Sequence, residues 1–481
     1  MARPYTRFIP NITSNLNKNF NIEPNLLQLI DSEQAYHYNI VPFHADNGSI
    51  TFKSDQVNEA LKDELEIVLN KKIHLVSETS EAIQKYLSVN FRQTSHTQDL
   101  QYSNDFLEKL LLTAKDIGSS DIHFEPYETS CRIRFRLDGK LKTYFIIAHQ
   151  EYPVIVNKLK IKAGLDISEK RLPQDGRISI KAALNEFDIR VSSLPTLYGE
   201  KMVLRILSKD TNSINLDELG FTKKELSTYK ETIKKPNGIA LISGPTGSGK
   251  TTTLYATLKL LNQESTNILT IEDPIEYTLE GINQVQLKET IGLDFVSTLR
   301  TFLRQDPDVI MVGEIRDAKT ANMAIRAALT GHLVLSTIHT NSAWATISRL
   351  IDMGIPAFLI ASTLNVSVAQ RLVRKLCVQC KQEAHISKDI FPSNFVIPKD
   401  ITMHYVAKGC NECHHTGYSG RKAIYEIIPI DKKLITHIKQ NALEIDAYLG
   451  ENKIHTLKSN AINLVKEGVT TVEEVYALLS E

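Results

Sequence analysis

The sequence predicts an α/β fold, and two observations support this prediction. Apolar runs that are too short for helices of their own recur along the second half of the chain, at 239–242, 268–271, 309–312 and 333–337. The first run is followed by a glycine-rich loop and then by leucines at helical spacing, which predict a helix packed on a sheet. We therefore expect a buried parallel sheet that is covered by helices.

The loop after the first run fits the phosphate-loop pattern at every required position. Its residues are Gly244, Pro245, Thr246, Gly247, Ser248, Gly249, Lys250 and Thr251. Glycines allow backbone N–H groups to converge on anionic oxygens, and the N-terminus of the following helix adds partial positive charge. In this pattern Lys250 reaches the β- and γ-phosphates, and the Thr251 hydroxyl holds Mg²⁺. The alternative is a glycine-rich turn that only connects a strand and a helix, and the complete pattern in its strand–helix context favours nucleotide binding.

Acidic residues follow the next two predicted strands. The run at 268–271 leads into Glu272 and Glu276, and the run at 309–312 leads into Glu314. Carboxylates at the carboxyl ends of parallel strands lie over the ligand crevice in such folds. A glutamate in the position of Glu314 can bind the Mg²⁺ shell or orient an attacking water.

Two histidines bracket the fourth predicted strand, 333–337: His332 precedes it and His339 follows it. Each histidine taken alone is more often structural than catalytic. Together with the acidic strand ends, both become candidate sensors of the γ-phosphate.

A separate domain is predicted before this core, starting near Asn104. Apolar residues from 131 to 137 alternate with Arg132, Arg134 and Arg136, which places the three arginines on one face of a strand. That face is either solvated or directed at an anion, and the pattern alone favours solvation. Polar segments at 91–103 and 209–215 are predicted connectors on either side of this domain.

Four of the five cysteines form two CxxC pairs, Cys377 with Cys380 and Cys410 with Cys413. Paired CxxC motifs suit tetrahedral Zn²⁺ held by four thiolates, a closed structural site. Independent reduced cysteines are the alternative. The adjacent histidines at 414 and 415 could substitute as ligands.

Composition limits the classes of function. At 481 residues the chain is long enough for about three domains. Lysine plus arginine equals aspartate plus glutamate, 56 each, so the net charge does not suggest a nucleic-acid-binding protein. No apolar run approaches the roughly 18–20 residues that span a bilayer, and the N-terminus has no signal-peptide core. We expect a soluble cytosolic protein that reaches a membrane only through partners.

The residues described above resemble the secretion ATPase family, which drives type II secretion, type IV pilus assembly and related competence systems. The resemblance covers about residues 104 to 481, and the first ninety residues are similar to the family only around residues 30–43. Besides the glycine-rich loop and the four cysteines, the matching segments are SDIHFEP (120–126), RLPQDGR (171–177), TIEDPIEY (270–277), LRQDPDVIMVGEIRD (303–317), GHLVLSTIHTNSA (331–343) and GYSGRKAIYE (417–426).

This resemblance implies a RecA-like P-loop core, a preceding PAS-like α+β domain, a small N-terminal domain and a tetracysteine Zn²⁺ module. The corresponding domains are an N-terminal partner-docking domain (1–95), a second N-terminal domain (104–212), the ATPase core (213–374), the cysteine module (375–424) and a C-terminal helical part (425–481). It also implies roles for individual residues. Lys250 and Thr251 would bind the phosphates and Mg²⁺, and Glu314 would hold the Mg²⁺ and water shell. Glu276 is the expected general base, with Glu272 as a close rival.

Arg190 and Arg205 match the arginines that the family's second domain presents to the nucleotide. Family members form ring hexamers that hydrolyse ATP in the cytosol and push on an inner-membrane platform protein. We therefore expect a homohexamer that is cytoplasmic and peripheral to the inner membrane, where it contacts a platform or docking protein. Retraction ATPases of the superfamily usually lack both the cysteine module and an extra N-terminal domain, which favours an export or assembly motor here.

Three functions are compared. The first is an ATP-driven motor for a type II secretion pseudopilus or a type IV pilus, with a competence or other pilus-like export motor as its variant. The second is a nucleotide-controlled scaffold without turnover, against which the complete set of lysine, hydroxyl and acidic strand ends argues. The third is a nucleic-acid translocase, against which neutral net charge and the lack of a long basic arm argue.

Overall fold

The computed structural model describes residues 26, 29–30, 32–46, 48–69, 71–80, 82–83, 86–87, 106–182, 185–207, 215–442 and 444–480. The predicted connector at 91–103, and residues 209–214 of the connector predicted at 209–215, lie outside these residues. The chain divides into two compact units, Met1–Gln101 with Thr143–Ile147, and Tyr102–Lys142 with Ala148–Glu481. None of the helices in the described ranges has the length and apolarity that crossing a bilayer requires.

The first unit contains a small three-stranded sheet with helices. Its elements are α1 (Ser32–His37), β1 (Ile40–Ala45), β2 (Ser49–Ser54), α2 (Glu59–Leu69) and β3 (Lys72–Ser77). β1 pairs antiparallel with β2, and β2 pairs parallel with β3. Because parallel neighbours need a crossover connection, α2 runs between β2 and β3. Phe52, Leu65 and Ile73 are fully buried in the core that this arrangement creates.

The second unit opens with a helix and a six-stranded sheet. Its elements in chain order are α3 (Phe106–Asp116), β4 (Asp121–Pro126), β5 (Ser130–Leu137), β6 (Lys140–Ala148, of which Thr143–Ile147 are assigned to the first unit), α4 (Tyr152–Ala163), β7 (Gln174–Ala182), β8 (Asn185–Thr196) and β9 (Gly199–Leu207). The strand order is β6-β5-β4-β9-β8-β7. Asp138 and Gly139, both with positive φ, form the tight turn between β5 and β6. One face of the sheet is apolar and buries Phe124, Phe135 and Phe187 completely.

The opposite face of this sheet is charged, and its arginines are paired with carboxylates. Arg134 and Arg132 form ion pairs with Glu125 at 2.5 and 3.0 Å. Arg136 pairs with Asp121 at 3.2 Å. Although burial opposes the effect, hydrogen bonds from arginine and lysine side chains lower the pKa of Glu125 to about 2. The three arginines that alternate along β5 therefore pair with carboxylates of the neighbouring strand β4 while their side chains stay partly exposed.

A buried ion pair holds α4 on the sheet. Lys160 Nζ lies 2.5 Å from Glu200 Oε1, and both side chains are almost fully buried. The ammonium also donates to the carbonyl oxygens of Glu169 at 2.6 Å and Asp166 at 3.3 Å. The Ser193 hydroxyl donates to Glu200 at 2.7 Å. Each buried charge thus has compensating hydrogen bonds, which a buried pair requires.

The remainder of the second unit is built around a seven-stranded sheet. Its elements are α5 (Lys223–Ile233), β10 (Gly238–Ser243), α6 (Lys250–Leu261), β11 (Ile268–Glu272), β12 (Asn283–Gln286), α7 (Phe295–Phe302), β13 (Val309–Val312), α8 (Ala318–Leu329), β14 (Leu333–Ile338), α9 (Ala345–Asp352), α10 (Ala357–Thr363), β15 (Leu364–Leu376), β16 (Gln382–His385), β17 (Met403–Val406), β18 (Tyr418–Pro429), α11 (Lys432–Lys439), α12 (Asp446–Glu451), α13 (Leu457–Lys466) and α14 (Val472–Ser480).

The order of strands in this sheet is β12-β11-β13-β14-β10-β15-β18. Six strands run parallel, and the edge strand β18 is antiparallel to β15. Every residue of β10, β11, β13 and β14 is buried, because apolar clusters cover both faces of the sheet. The four predicted strands are therefore present, and the α/β prediction is confirmed.

Replacing one member of the buried pair should destabilise the six-stranded domain. Lys160→Met leaves Glu200 buried without its cation, so the opening free energy of α4 and β9 should fall by about 3–5 kcal/mol. Deuterium uptake of peptides from these elements measures this change. Lys433→Met removes an exposed ion pair with Glu451 and should change local stability by less than about 0.5 kcal/mol. Equal uptake in the two variants would contradict the role of the buried pair.

Candidate nucleotide site and cysteine cluster

The loop between β10 and α6 passes very close to β15. Gly244 and Gly249 have φ angles of +147° and +85°, in the region that favours glycine. A Cβ atom at Gly244 would lie 2.5 Å from the carbonyl oxygen of Gln370, and one at Gly249 would lie 2.9 Å from the amide nitrogen of the same residue. Larger residues are excluded at both positions, so the loop backbone keeps its tight curvature.

Lys250 begins α6 and turns back into the loop. Its ammonium donates to the carbonyl oxygens of Gly244 at 2.8 Å and Pro245 at 3.0 Å, and the side chain is largely buried. Burial lowers the pKa of Lys250, the negative charge of Glu314 opposes this shift, and the positive charge of Arg371 adds to it. The lysine is therefore held at the loop, within electrostatic reach of Glu314.

Glu314 follows β13 and is joined there by His339, which follows β14. Glu314 Oε2 lies 3.5 Å from His339 Nε2, and its other oxygen pairs with Arg316. The Arg316 guanidinium also lies 4.0 Å from Asp273, which follows β11. Because β10, β14, β13 and β11 are parallel neighbours, the segments after all four strands meet at one edge of the sheet.

His332 lies at the other edge of the same sheet. It directly precedes β14, and its backbone carbonyl accepts a hydrogen bond from the N–H of Gly238 at the start of β10. Its ring Nδ1 lies 2.8 Å from the carbonyl oxygen of Ala327. The structure thus brings His339 to the loop and leaves His332 at the opposite end of the strand.

The two glutamates considered as a general base have different surroundings. Glu272 is 3% exposed, and its carboxylate accepts hydrogen bonds from Tyr255, from Thr270 at 2.6 Å and from Gln284 at 3.1 Å. The Glu276 side chain is 38% exposed and lies 4.0 Å from Arg190. The carboxylate of Glu272 is buried and hydrogen-bonded to three side chains, whereas the carboxylate of Glu276 is accessible to solvent.

The predicted arginines lie in a cross-strand row on the charged face of the six-stranded sheet. Arg190 is paired in register with Arg177 on one side and with Arg205 on the other, and Arg205 is opposite Asp121. Arg190 reaches the acidic segment of the core, where its guanidinium donates to the Ile275 carbonyl at 3.0 Å. Arg205 instead donates to Asp121 at 3.1 Å. Within the described residues, Arg190 contacts the core built on the seven-stranded sheet, whereas Arg205 pairs inside its own sheet.

Two arginines were missed in the sequence analysis, Arg371 beside the loop and Arg316 beside Glu314. Arg371 donates to the Asn341 carbonyl at 2.9 Å, and its guanidinium would lie 3.3 Å from a Cβ atom at Gly244. Arg316 pairs with Glu314, as described above. Arg371 lies on β15, and only the parallel pairing of β15 with β10 brings it to the loop. Arg316 lies in GEIRD, part of the segment 303–317 that resembles the secretion ATPase family, but the sequence analysis assigned its charge no role.

The loop fits an anionic ligand accompanied by a divalent cation. Residues 245–247 at its tip are exposed, and the buried Ser248 Oγ has no hydrogen-bond partner among the described residues. Thr251 is exposed in the first turn of α6, and Glu314 supplies a carboxylate nearby. Hydroxyl and carboxylate oxygens are the ligands that Mg²⁺ prefers.

The four predicted cysteines converge in a second site. Their Sγ atoms all lie within 4.8 Å of one another. Three of the distances are 3.8 Å for Cys377–Cys410, 3.8 Å for Cys380–Cys413 and 3.7 Å for Cys410–Cys413. Four sulfur ligands about 2.3 Å from one tetrahedral ion would be about 3.8 Å apart. Neither of the neighbouring histidines belongs to this cluster in the described part of the chain.

Backbone groups also support a metal at this cluster. The N–H groups of Cys410 and Gly417 each donate to Cys413 Sγ at 3.2 Å, as expected for a sulfur atom that carries negative charge. The turn between β5 and β6 contacts the same module, because the Gly420 N–H donates to Asp138 at 2.9 Å and Lys142 donates to the His414 carbonyl.

Family models and curated relatives both match this chain to secretion system and pilus assembly proteins. Residues 96–477 match the family model described as type II/IV secretion system protein, and residues 17–97 match the MshEN domain. The chain is 40% identical over 501 residues to the type IV pilus assembly ATPase PilB of Myxococcus xanthus, covering 95% of this chain and 87% of that protein. It is 45% identical over 397 residues to type II secretion system protein E of Pseudomonas aeruginosa, covering 81% and 79% respectively.

A solved structure agrees with these sequence matches. The pilus retraction motor PilT, determined with bound ADP, superposes with a TM-score of 0.52 at 26% identity, covering 77% of this chain and 95% of that one. Since one family model spans most of the chain and the two relatives, 40% and 45% identical, cover 95% and 81% of it, this chain belongs to the type II/IV secretion system protein family.

Proposed function

We propose that this chain is an ATPase that hydrolyses ATP with Mg²⁺ to power assembly of a type II secretion pseudopilus or a type IV pilus. One observation carries the proposal: the phosphate loop, Glu314 and His339 meet at one edge of the parallel sheet. The names of the relatives, a type IV pilus assembly ATPase and a type II secretion system protein, support the same activity. In finer detail, we infer that the seven-stranded sheet is a RecA-like core and that the six-stranded sheet belongs to the PAS-like domain.

Different residues of the site would bind the phosphates and the Mg²⁺ ion. Lys250 would contribute positive charge to the terminal phosphates, and the N–H groups of Gly247 to Thr251 would surround them. Thr251 and Glu314 would hold Mg²⁺, which neutralises phosphate charge when it is bound. His339, beside Glu314, would sense the γ-phosphate. His332 has no part in this proposal, because it lies at the opposite edge of the sheet.

Glu276 is the better candidate for the base that activates water. A general base needs an accessible carboxylate, and Glu276 is partly exposed next to Arg190. Glu272 is buried and accepts three hydrogen bonds from neighbouring side chains. We therefore assign Glu276 to the chemistry and Glu272 to the support of the acidic segment.

The arginines of the six-stranded sheet would supply positive charge to the transferred phosphoryl group. Arg190 already contacts the acidic segment, and Arg205 is its neighbour in register. Arg205 is 60% exposed while it is paired with Asp121, so it can turn toward a ligand. Closing of this domain on the core during hydrolysis would then convert ATP turnover into movement.

The cysteine cluster would hold structural Zn²⁺. Four thiolates complete the coordination sphere and leave no open position for a substrate, so the ion would support folding rather than chemistry. We further propose that six copies form a ring in the cytoplasm and act at the inner membrane through a platform or docking protein. This assembly follows from the family resemblance.

Loss of the loop lysine should abolish turnover. Lys250→Ala removes the point charge at the γ-phosphate, and the loss of a comparable transition-state contact costs about 3–4 kcal/mol. A steady-state ATPase assay of the purified full-length variant measures the effect. Lys259→Ala, at the far end of the same helix, is the control and should retain wild-type activity. Near-normal turnover by Lys250→Ala would contradict the proposed site.

Removal of the arginine at the acidic segment should lower kcat more than ATP affinity. A cation added to a phosphoryl-transfer site contributes about 10³–10⁵ in rate, so Arg190→Ala should lose at least about tenfold in kcat. Arg177→Ala removes the neighbouring arginine in the same row, which pairs with Asp188, and should have a much smaller effect. The two variants are compared by kcat and by the dissociation constant for a fluorescent ATP analogue. Equal kcat values for them would contradict the role of Arg190.

Protein purified without exposure to a chelator should contain one Zn²⁺ per chain. Binding of Zn²⁺ by thiolates in small modules contributes roughly 10–16 kcal/mol at neutral pH, so Cys410→Ser should unfold the module locally. Elemental analysis measures the metal, and deuterium uptake of peptides from β16 and β17 measures the local unfolding. Cys131→Ser, which changes a cysteine outside the cluster, should leave the zinc content unchanged. A zinc content well below one per chain in the wild type would contradict the proposal.

A further inference from the structure

A buried hydroxyl connects the helix after the phosphate loop to the acidic segment after β11. Tyr255 lies on α6, which begins at Lys250, and its side chain is fully buried. The phenol donates a hydrogen bond to Glu272 Oε2, and the backbone N–H of Glu276 donates to the same phenol oxygen at 3.3 Å. One hydroxyl group therefore contacts two residues of the acidic segment.

The surroundings of Glu272 determine the direction of the phenol proton. Glu272 Oε1 already accepts hydrogen bonds from the Thr270 hydroxyl and the Gln284 amide. The phenol is the donor to Oε2, so its oxygen keeps lone pairs that can accept a hydrogen bond. Burial, together with this hydrogen bond, raises the pKa of Tyr255 far above its ordinary value and keeps the hydroxyl protonated. A lone pair of the phenol oxygen is then directed to the N–H of Glu276.

The position of the Glu276 carboxylate depends on the backbone that carries it. Its side chain is 38% exposed, and Arg190 approaches it only to 4.0 Å. Such an exposed pair restrains a side chain weakly. The hydrogen bond to Tyr255 is different, because it is made by the Glu276 backbone and ends on a residue that is packed in the core.

We propose that Tyr255 is a positioning residue for ATP hydrolysis, whose hydroxyl fixes the backbone of Glu276 relative to the phosphate loop. The proposal rests on the proposed function, in which Glu276 activates the attacking water. Lys250 and Tyr255 belong to the same helix, so the group that holds the phosphates and the residue that orients the base move as one rigid element. When a catalytic group is misplaced by about 1 Å, the rate falls by about 100-fold. We expect a rate loss of up to this size if Glu276 is no longer held in position.

The neighbouring Tyr277 provides a matched control. Its ring packs against Tyr255 in a T-shaped arrangement with the ring centroids 4.5 Å apart. Its hydroxyl is also buried, but it has no hydrogen-bond partner within the described ranges. Changing either tyrosine to phenylalanine removes one buried hydroxyl from the same cluster. Only the change at Tyr255 removes hydrogen bonds to Glu272 and Glu276.

The first experiment compares Tyr255→Phe with Tyr277→Phe in the full-length protein. Tyr255→Phe should lower kcat by about 10- to 100-fold, while KM and the affinity for a fluorescent ATP analogue change by less than about twofold. Tyr277→Phe should stay within about twofold of the wild type in all three quantities. Equal kcat values for the two variants would overturn the proposal.

Deuterium uptake tests the same idea without reference to catalysis. The peptide that contains Glu276 should exchange faster in Tyr255→Phe than in the wild type, because its N–H has lost an acceptor. Tyr277→Phe should leave that peptide unchanged. Unchanged uptake in Tyr255→Phe would show that the hydroxyl does not hold the segment, and would overturn the proposal even if the rate fell.

A double variant separates positioning from general stability. If Tyr255 acts through Glu276, then Tyr255→Phe combined with Glu276→Gln should be no slower than Glu276→Gln alone. Additive losses would overturn the proposal, because the tyrosine would then act independently of the base. Wild-type turnover by Glu276→Gln is a separate outcome that contradicts the role given to Glu276 under the proposed function.

Discussion

The parallel pairing of four adjacent strands is the constraint on which the nucleotide site depends. β11, β13, β14 and β10 run in one direction and pair in continuous register, so the segments that follow them emerge at a common edge. The phosphate loop, Glu314 and His339 come from different parts of the chain and share only this edge. A slip of one residue in any pair would turn a strand's side chains to the opposite face and separate these groups.

Local signals in the sequence were sufficient to predict the strands and loop that carry the proposed site. The glycine pattern, the apolar runs and the acidic residues after them are each readable within a few positions, and the structure has strands at the four predicted places. The prediction that His332 and His339 both sense the γ-phosphate overlooked that one precedes β14 and the other follows it. Side chains at opposite ends of one strand cannot serve a single site.

Features that depend on pairing between distant segments could not be predicted. Glu272 and Glu276 look equivalent in the sequence, but burial and the hydroxyl of Tyr255 distinguish them. The arginines of β5 looked like a solvated face, because the register that sets Glu125 opposite Arg132 is not visible in either segment alone. Arg371 carries no motif at all and reaches the loop only through the pairing of β15 with β10.

The hydrogen bonds of Lys250 to the loop backbone limit which residue types can replace it. An ammonium group has three N–H donors, and two of them are directed at the carbonyl oxygens of Gly244 and Pro245. These neutral acceptors hold the ammonium group in place without neutralising its charge, so a third donor remains for another acceptor. A guanidinium has its donors in a rigid planar fork and cannot divide them in this way. A lysine therefore suits this position better than an arginine, because the curved loop presents two carbonyl oxygens to a single ammonium group.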